Sequence, residues 1–161
     1  MTIVVSDTTP LSELAKIGQL QLLRDVFGEV IIPAEVYQEA TTGTHPAVQA
    51  VQAATWIQVR AVGNAQKVVD LQIATNLDRG ECAAIVLAEE LNANQLLLDD
   101  LEARRVAQSR SLPVTGTIGT LLLAKEKGLI PNLKDLLDAL MANGTRIGSR
   151  LYQDALRAAG E

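Results

Sequence analysis

Short apolar runs alternate along the chain with longer segments whose apolar positions recur every three or four residues. These are the periods of buried strands and of helices packed on one side. The first run, Ile3 to Ser6, is largely β-branched and stops at Asp7. Thr9 can cap the helix that follows, with Pro10 at its first position, where a missing N–H costs nothing. Leu11, Leu14 and Ala15 form that helix's stripe, and Gly18 ends it. Leu20, Leu22, Leu23 and Val26 predict a second short helix closed by Gly28, and Val30 to Ile32 a second strand stopped by Pro33. A helix from Ala34 carries Val36, Tyr37 and Ala40 on one side and Glu35 and Glu39, four apart, on another.

Thr41 to Pro46 reads as a loop, Ala47 to Ala54 as a helix, and Trp56 to Val59 as a third strand near a sheet edge. A helix holds Val68, Leu71, Ile73 and Ala74. Asp78-Arg79-Gly80-Glu81 then opens a long helix, apolar from Ala83 to Ala88 and so buried on several sides, with Asn92 and Asn94 as punctuation. A fourth strand, Gln95 to Leu98, ends in Asp99-Asp100; a helix from Glu102 to Arg110 and a fifth strand from Leu112 to Thr115 follow. Gly116-Thr117-Ile118-Gly119 leads into a helix from Thr120 to Lys127, closed by Gly128. Pro131 starts another, with Leu133, Leu136, Leu137 and Leu140 at helical spacing, and the last runs from about Ser149 to Ala159. Strands alternating with helices specify an α/β fold with a mainly parallel sheet of about five strands, expected as a single domain over residues 1–161. Ligands of such sheets bind outside the carboxyl ends of the strands, where Asp7 and Asp99-Asp100 fall.

Composition narrows the chemistry. Hydrophobic residues make up 48% of the chain, yet only Phe27, Tyr37, Trp56 and Tyr152 are aromatic, so the core is aliphatic and base-stacking platforms are disfavoured. Cys82 and His45 are single, which excludes an intrachain disulfide and a cysteine-rich zinc site. His45, in the turn-like Thr42–Pro46 segment, reads as a solvated loop residue. Any metal would be held by oxygen, which points to Mg²⁺ or Mn²⁺. With no signal-like start and no apolar stretch approaching the roughly 20 residues of a membrane span, the expectation is a cytoplasmic protein without membrane contact. Charge is uneven: residues 1–100 carry 5 Lys/Arg against 13 Asp/Glu, and residues 101–161 carry 9 against 6. That is what an acidic metal site followed by a backbone-facing basic segment would produce.

Each acid also has a structural reading. Asp7 could be a turn or capping aspartate. Asp78 and Glu81 have the D-x-x-E spacing of a capping box. Asp99 or Asp100 could cap the helix bearing Arg104 and Arg105, and Glu39 could be a solvated helix acid. As a set, carboxylates brought together raise each other's pKa unless a cation is present. A divalent ion would relieve that repulsion, lower the pKa of a bound water and stabilise charge on a phosphoryl oxygen. Gly116-Thr117-Ile118-Gly119 is either simple turn chemistry or a phosphate-holding helix start using Thr117. Arg104, Arg105 and Arg110 either contact a nucleic-acid backbone or form a solvated basic face.

The acids in this order resemble those of the PIN-domain nucleases. The matching stretches are Val4-Val5-Ser6-Asp7-Thr8-Thr9-Pro10-Leu11, Ile31-Ile32-Pro33-Ala34-Glu35-Val36-Tyr37-Gln38-Glu39, Arg79-Gly80-Glu81-Cys82-Ala83-Ala84-Ile85 and Leu97-Leu98-Asp99-Asp100. The tail from Gly116 through Ile130 is similar to a bacterial and archaeal branch related to the toxins of toxin–antitoxin pairs. The resemblance implies a three-layer α/β/α sandwich and Mg²⁺- or Mn²⁺-dependent endoribonuclease action on single-stranded RNA, through a metal-activated water. It implies metal ligands at Asp7, Glu81 and Asp99 or Asp100, and a second acid at Glu39, acting directly or through water. Thr8 or Thr9 would orient Asp7, and Thr8, Thr9, Arg104, Arg105 and Thr117 are the candidate substrate contacts. RNA, a small antitoxin docked on apolar surface of the N-terminal helices, and a second copy in a homodimer are the implied partners.

The chain departs from the family pattern at Glu81, one methylene longer than the usual Asp. It departs again at Leu98, where a hydroxyl residue usually precedes the last acid, and in lacking the aromatic that often follows. The alternative function is therefore a catalytically degenerate module of the same fold that binds RNA or a protein. A phosphohydrolase with Asp7 as covalent nucleophile is a third class, disfavoured because Thr9 stands where a second Asp is expected.

Overall fold

The apolar runs fold as five strands, β1 (Val4–Ser6), β2 (Val30–Pro33), β3 (Ile57–Arg60), β4 (Gln95–Leu97) and β5 (Val114–Thr115), in one sheet of order β3-β2-β1-β4-β5. The structure, a computed structural model, describes residues 2–45 and 47–161. Every strand pair is parallel, with Val5 opposite both Ile31 and Leu96, and Leu97 opposite Thr115. The sheet is thus wholly rather than mainly parallel, and each connection carries at least one helix, as parallel pairing requires.

Alternation along the strands builds two cores. Val4, Val30, Ile32 and Leu97 face one side, against Leu11 and Leu14 of α1 (Thr8–Lys16), Leu22 and Leu23 of α2 (Gln21–Phe27), and Leu121 of α8 (Thr117–Glu126). Leu137 and Leu140 of α9 (Lys134–Ala142) and Leu156 of α10 (Ser149–Ala158) complete that layer. Val5, Ile31, Leu96 and Leu98 face the other side. They pack against α5 (Ala65–Ala74), α6 (Arg79–Leu91) and α7 (Leu101–Ser109). The period of two in the strands divides these sets, and the result is a three-layer α/β/α sandwich. The continuous apolar run of α6 is explained by its place: Cys82 through Ala88 are all buried. Two short helices, α3 (Ala34–Ala40) and α4 (Ala47–Ala53), follow β2. No helix among the described residues is long and apolar enough to cross a membrane.

Three helix starts differ from the sequence expectation. The first helix begins at Thr8, with Asp7 rather than Thr9 as the preceding extended residue and no side-chain cap bond. Pro10 is then its third residue, still within the first turn, where N–H groups have no intrahelical acceptor. The eighth begins at Thr117, not Thr120, because the Asp99 carboxylate accepts from the Thr117 N–H at 2.6 Å and so satisfies an orphan donor one turn earlier. The ninth begins at Lys134, not Pro131. Glu161 accepts there from the N–H groups of Leu133 at 2.6 Å and Lys134 at 3.1 Å. The loop expected over Thr41–Pro46 is described as far as His45, and Pro46 lies outside the described residues. His45 is half-buried rather than freely solvated, and its Nδ1 accepts from the Ala47 N–H at 3.1 Å.

The strand order reverses between β1 and β4, the chain having gone outward through β2 to β3 before returning. At that switch point the Asp7 N–H donates to the Leu97 carbonyl at 3.0 Å, binding the two strand ends together. The crevice beyond the carboxyl ends of β1 and β4 is where such sheets bind ligands.

Candidate active site

The carboxyl ends of β1 and β2 and the start of α6 bring acids to one place. Asp7, at 5% exposure, is the floor; Glu39 of α3 and Asp78, both exposed, and half-buried Glu81 form the rim. Gly80 measures the convergence. A Cβ built on it would lie 2.9 Å from Glu39 Oε2, 3.6 Å from Asp78 Oδ1 and 3.7 Å from Asp7 Oδ1. Three carboxylate oxygens from three separate segments therefore surround a spot kept open by the absence of a side chain. An open groove of about 680 Å³ leads off beside it, lined by Glu35, Gln38, Glu39, Thr42, Arg79 and Gly80.

The electrostatics follow from burial and like charge. Burial, then the charges of Asp78, Glu81 and Glu39, push the Asp7 carboxyl up to about 7, against an opposing backbone hydrogen bond from Thr8. Burial and the neighbouring Asp78 push Glu81 to about 7 as well, with Asp100 adding to the repulsion. Glu39 is raised by burial and by Asp78, while Thr8 and His45 favour its charged form. The Thr8 hydroxyl itself is buried and has no partner in hydrogen-bond geometry among the described residues, so its closeness to Glu39 falls short of a bond.

Asp78 is the residue that sequence reasoning left out of the site. Its capping box with Glu81 is present: Asp78 Oδ1 accepts from the Glu81 N–H at 2.8 Å, and Glu81 Oε2 from the Asp78 N–H at 3.3 Å. The cap and the cluster use the same carboxylate, since Asp78 Oδ1 is also among the oxygens around Gly80. The D-x-x-E spacing gave the cap; only the tertiary placement of α6 against α3 and β1 gives the cluster.

Asp99 and Asp100 part company. Asp99 turns to the α8 side, where Oδ1 accepts from the Thr117 N–H and Oδ2 from the Thr117 hydroxyl, each at 2.6 Å. Burial raises its pKa, the two Thr117 bonds oppose this, and Glu13 and Arg104 are its charged neighbours. Asp100 turns to the α6 side, where its charge is felt by Glu81, while Oδ2 caps α7 by accepting from the Ala103 N–H at 2.9 Å.

Of the expected substrate contacts, Thr8 lies buried at the floor, whereas exposed Thr9 lines a second cavity together with Arg104 and Thr117. Arg105 is exposed on α7. Arg110 lies at the far, C-terminal end of α7, paired with Glu89 at 2.7 Å, and so stands away from the carboxyl edge of the sheet.

The donor set around Gly80 is all oxygen, which suits a hard divalent cation. The cradle a Cβ would fill, the Thr8 hydroxyl without a partner among the described residues and the raised carboxyls of Asp7, Glu39 and Glu81 are features a cation would complete. Among the described residues no three acidic, histidine or cysteine side chains form a ready-made ion-holding group. Glu39 Oε2, Asp78 Oδ1 and Asp7 Oδ1 lie 2.9, 3.6 and 3.7 Å from the Cβ spot at Gly80, farther than the roughly 2.0–2.6 Å of metal–oxygen bonds.

Comparison with known proteins agrees with this architecture. The model of a family described as a PIN domain matches residues 3–161. No curated protein and no solved structure matches the chain significantly.

Proposed function

The chain belongs to the PIN-domain family, and on that premise we propose that it is a Mg²⁺- or Mn²⁺-dependent endoribonuclease acting on single-stranded RNA. PIN domains are generally metal-dependent enzymes that hydrolyse nucleic acids. The observation that carries the reading here is the meeting of Asp7, Glu39 and Asp78 oxygens around Gly80 at the sheet's switch point. Asp7, Glu39 and Asp78 would hold the cation, with Glu81 and Asp100 beside them. When bound, the cation supplies charge stabilisation on the phosphoryl oxygens and acidifies a water. The protein's own part is positional. Asp7 is fixed by the bond between its N–H and Leu97, and the capping box at the start of α6 holds Asp78 and Glu81 to each other. Arg79, at the groove mouth with only a 4.0 Å pairing to Glu35, is available to an incoming phosphate. We assign the physiological role as the toxin of a toxin–antitoxin pair, with a small antitoxin and a second copy as partners, on the resemblance of the tail.

The test is cleavage of a broad panel of single-stranded RNAs with Mn²⁺ by wild type and Asp7→Asn. Cleavage by wild type alone is the expected result, and equal cleavage by both would overturn the mechanism. A second reading, an inactive module of the same fold, draws on Glu81's engagement in the capping box and on the 2.9–3.7 Å that separate the three oxygens from the spot at Gly80. Calorimetric titration separates the two. Mn²⁺ binding that disappears in Asp7→Asn supports the enzyme, and no such binding supports the module.

A further inference from the structure

The β1–α1 and β4–α7 junctions each send neighbouring residues to opposite sides. Thr8 and Asp100 go to the acid cluster, and Thr9 and Asp99 to a cavity of about 560 Å³ between α1, α7, α8 and the turn joining α9 to α10. That volume is within the range of about 300–1,000 Å³ typical of small-ligand sites. Its walls combine three cations, Lys16, Arg104 and Arg146, with apolar side chains of which Leu101 and Leu151 are exposed at 69% and 51%.

The acids in this cavity are satisfied internally. Asp99 is bound by Thr117 through both oxygens, and Glu13 accepts from Thr145 and pairs with Lys16 at 2.8 Å. The cations are less committed. Arg104 and Arg146 form no ion pair within 4.0 Å among the described residues. The acid cluster beside it has the opposite character, so the cavity offers an anion a place on a strongly acidic edge. Exposed leucines next to unpaired arginines suit a ligand that is apolar at one end and anionic at the other.

We propose that this cavity is a nucleotide subsite, seating the nucleotide adjacent to the cleaved phosphodiester, with Arg146 and Arg104 on its phosphate and Leu101 and Leu151 against its base. The identity of the ligand rests on the nuclease reading. Contact with aliphatic rather than aromatic walls makes the base preference weak, whereas the phosphate contact is strong and salt-sensitive.

The experiment uses the full chain carrying Asp7→Asn and a short fluorescent single-stranded RNA, with affinity read by anisotropy over a series of salt concentrations. Adding Arg146→Glu should weaken binding about tenfold and reduce the slope of log K against log salt by about 0.7. Adding Arg157→Glu, the same charge change at the other end of α10, should change neither. Leu151→Gln should weaken binding of the RNA but not of an abasic strand. Equal affinities for the Arg146→Glu and Arg157→Glu proteins, or no RNA binding by any of them, would overturn the subsite even if wild type cuts RNA. Arg146-dependent binding alongside a wild type that cuts nothing would uphold RNA binding in this cavity, overturn the nuclease reading and with it the placement beside a cleaved phosphodiester.

Discussion

Gly80 and Glu39 share one small space: a methyl group on the glycine would press to 2.9 Å from Glu39 Oε2. The obstructed atom is the free end of a flexible, exposed side chain, so Glu39 can swing away at little cost. Alanine also favours a helix over glycine by up to about 1 kcal/mol. Gly80→Ala should therefore leave the melting temperature unchanged or slightly higher. It should lower RNA cleavage at least tenfold, because the methyl occupies the space the carboxylates surround. Parallel melting and cleavage measurements check this, and full activity would show that the space is not used.

The pH dependence of the metal-free protein follows from Asp7. Its pKa rises from 3.8 to about 7 on folding, so between those values the folded chain binds the extra proton. Stability falls as pH rises through that window and stays low above it; Glu81, moving from 4.5 to about 7, acts in the same direction. For buried Asp7 the shift corresponds to on the order of 4 kcal/mol. Melting without metal should be higher at pH 5 than at pH 8, and Asp7→Asn should flatten that difference. At pH 8 the same substitution should stabilise by about 1–3 kcal/mol, the usual signature of a functional charge held against its environment. A profile that rises towards pH 8 would contradict the burial of Asp7.

Asp78 can be divided into cap and charge. Asn is as good an N-cap as Asp, so Asp78→Asn should change stability by no more than about 0.5 kcal/mol, whereas Asp78→Ala should cost about 1 kcal/mol. Both should reduce Mn²⁺ affinity, read by calorimetry. If only the alanine variant lost Mn²⁺ binding, the carboxylate's role would be the cap alone.

The two adjacent aspartates should give opposite results. Asp99→Ala removes the acceptor for both Thr117 donors in a largely buried setting and should destabilise by about 1–3 kcal/mol. Asp100→Asn keeps its cap on Ala103 and should be neutral for stability while lowering Mn²⁺-dependent cleavage. Denaturant melts and cleavage rates on the two proteins decide between them.

Much of the fold was readable because its signals are local. Val30-Ile31-Ile32, stopped by Pro33, reads as a buried strand, and the apolar run from Ala83 to Ala88 as a helix covered on several sides, and both are so in the structure. In the structure, strand alternation divides Val4 from Val5 and Leu96 from Leu97 between the two cores. Two of the three misplaced helix starts, those of α8 and α9, share one cause, a distant acceptor. Nothing near Thr117 in sequence reveals that Asp99 will take its N–H, and nothing near Leu133 points to Glu161. The same limit hid Asp78, whose cap is local but whose neighbours Asp7 and Glu39 come from other segments. It also left Asp99 and Asp100 unresolved, since their divergence depends on α8 lying on one side and α6 on the other.

The bond between Asp7 and Leu97 also has a meaning in time. Asp7 is made early, but its N–H finds its acceptor only after the segments containing Glu39, Asp78 and Glu81 have been translated. Parallel neighbours so distant in sequence close late and slowly. On the ribosome the growing chain therefore holds Asp7 without this tie while Glu39, Asp78 and Glu81 are already made. The nascent chain cannot fix Asp7 through this bond until β4 is in place beside β1.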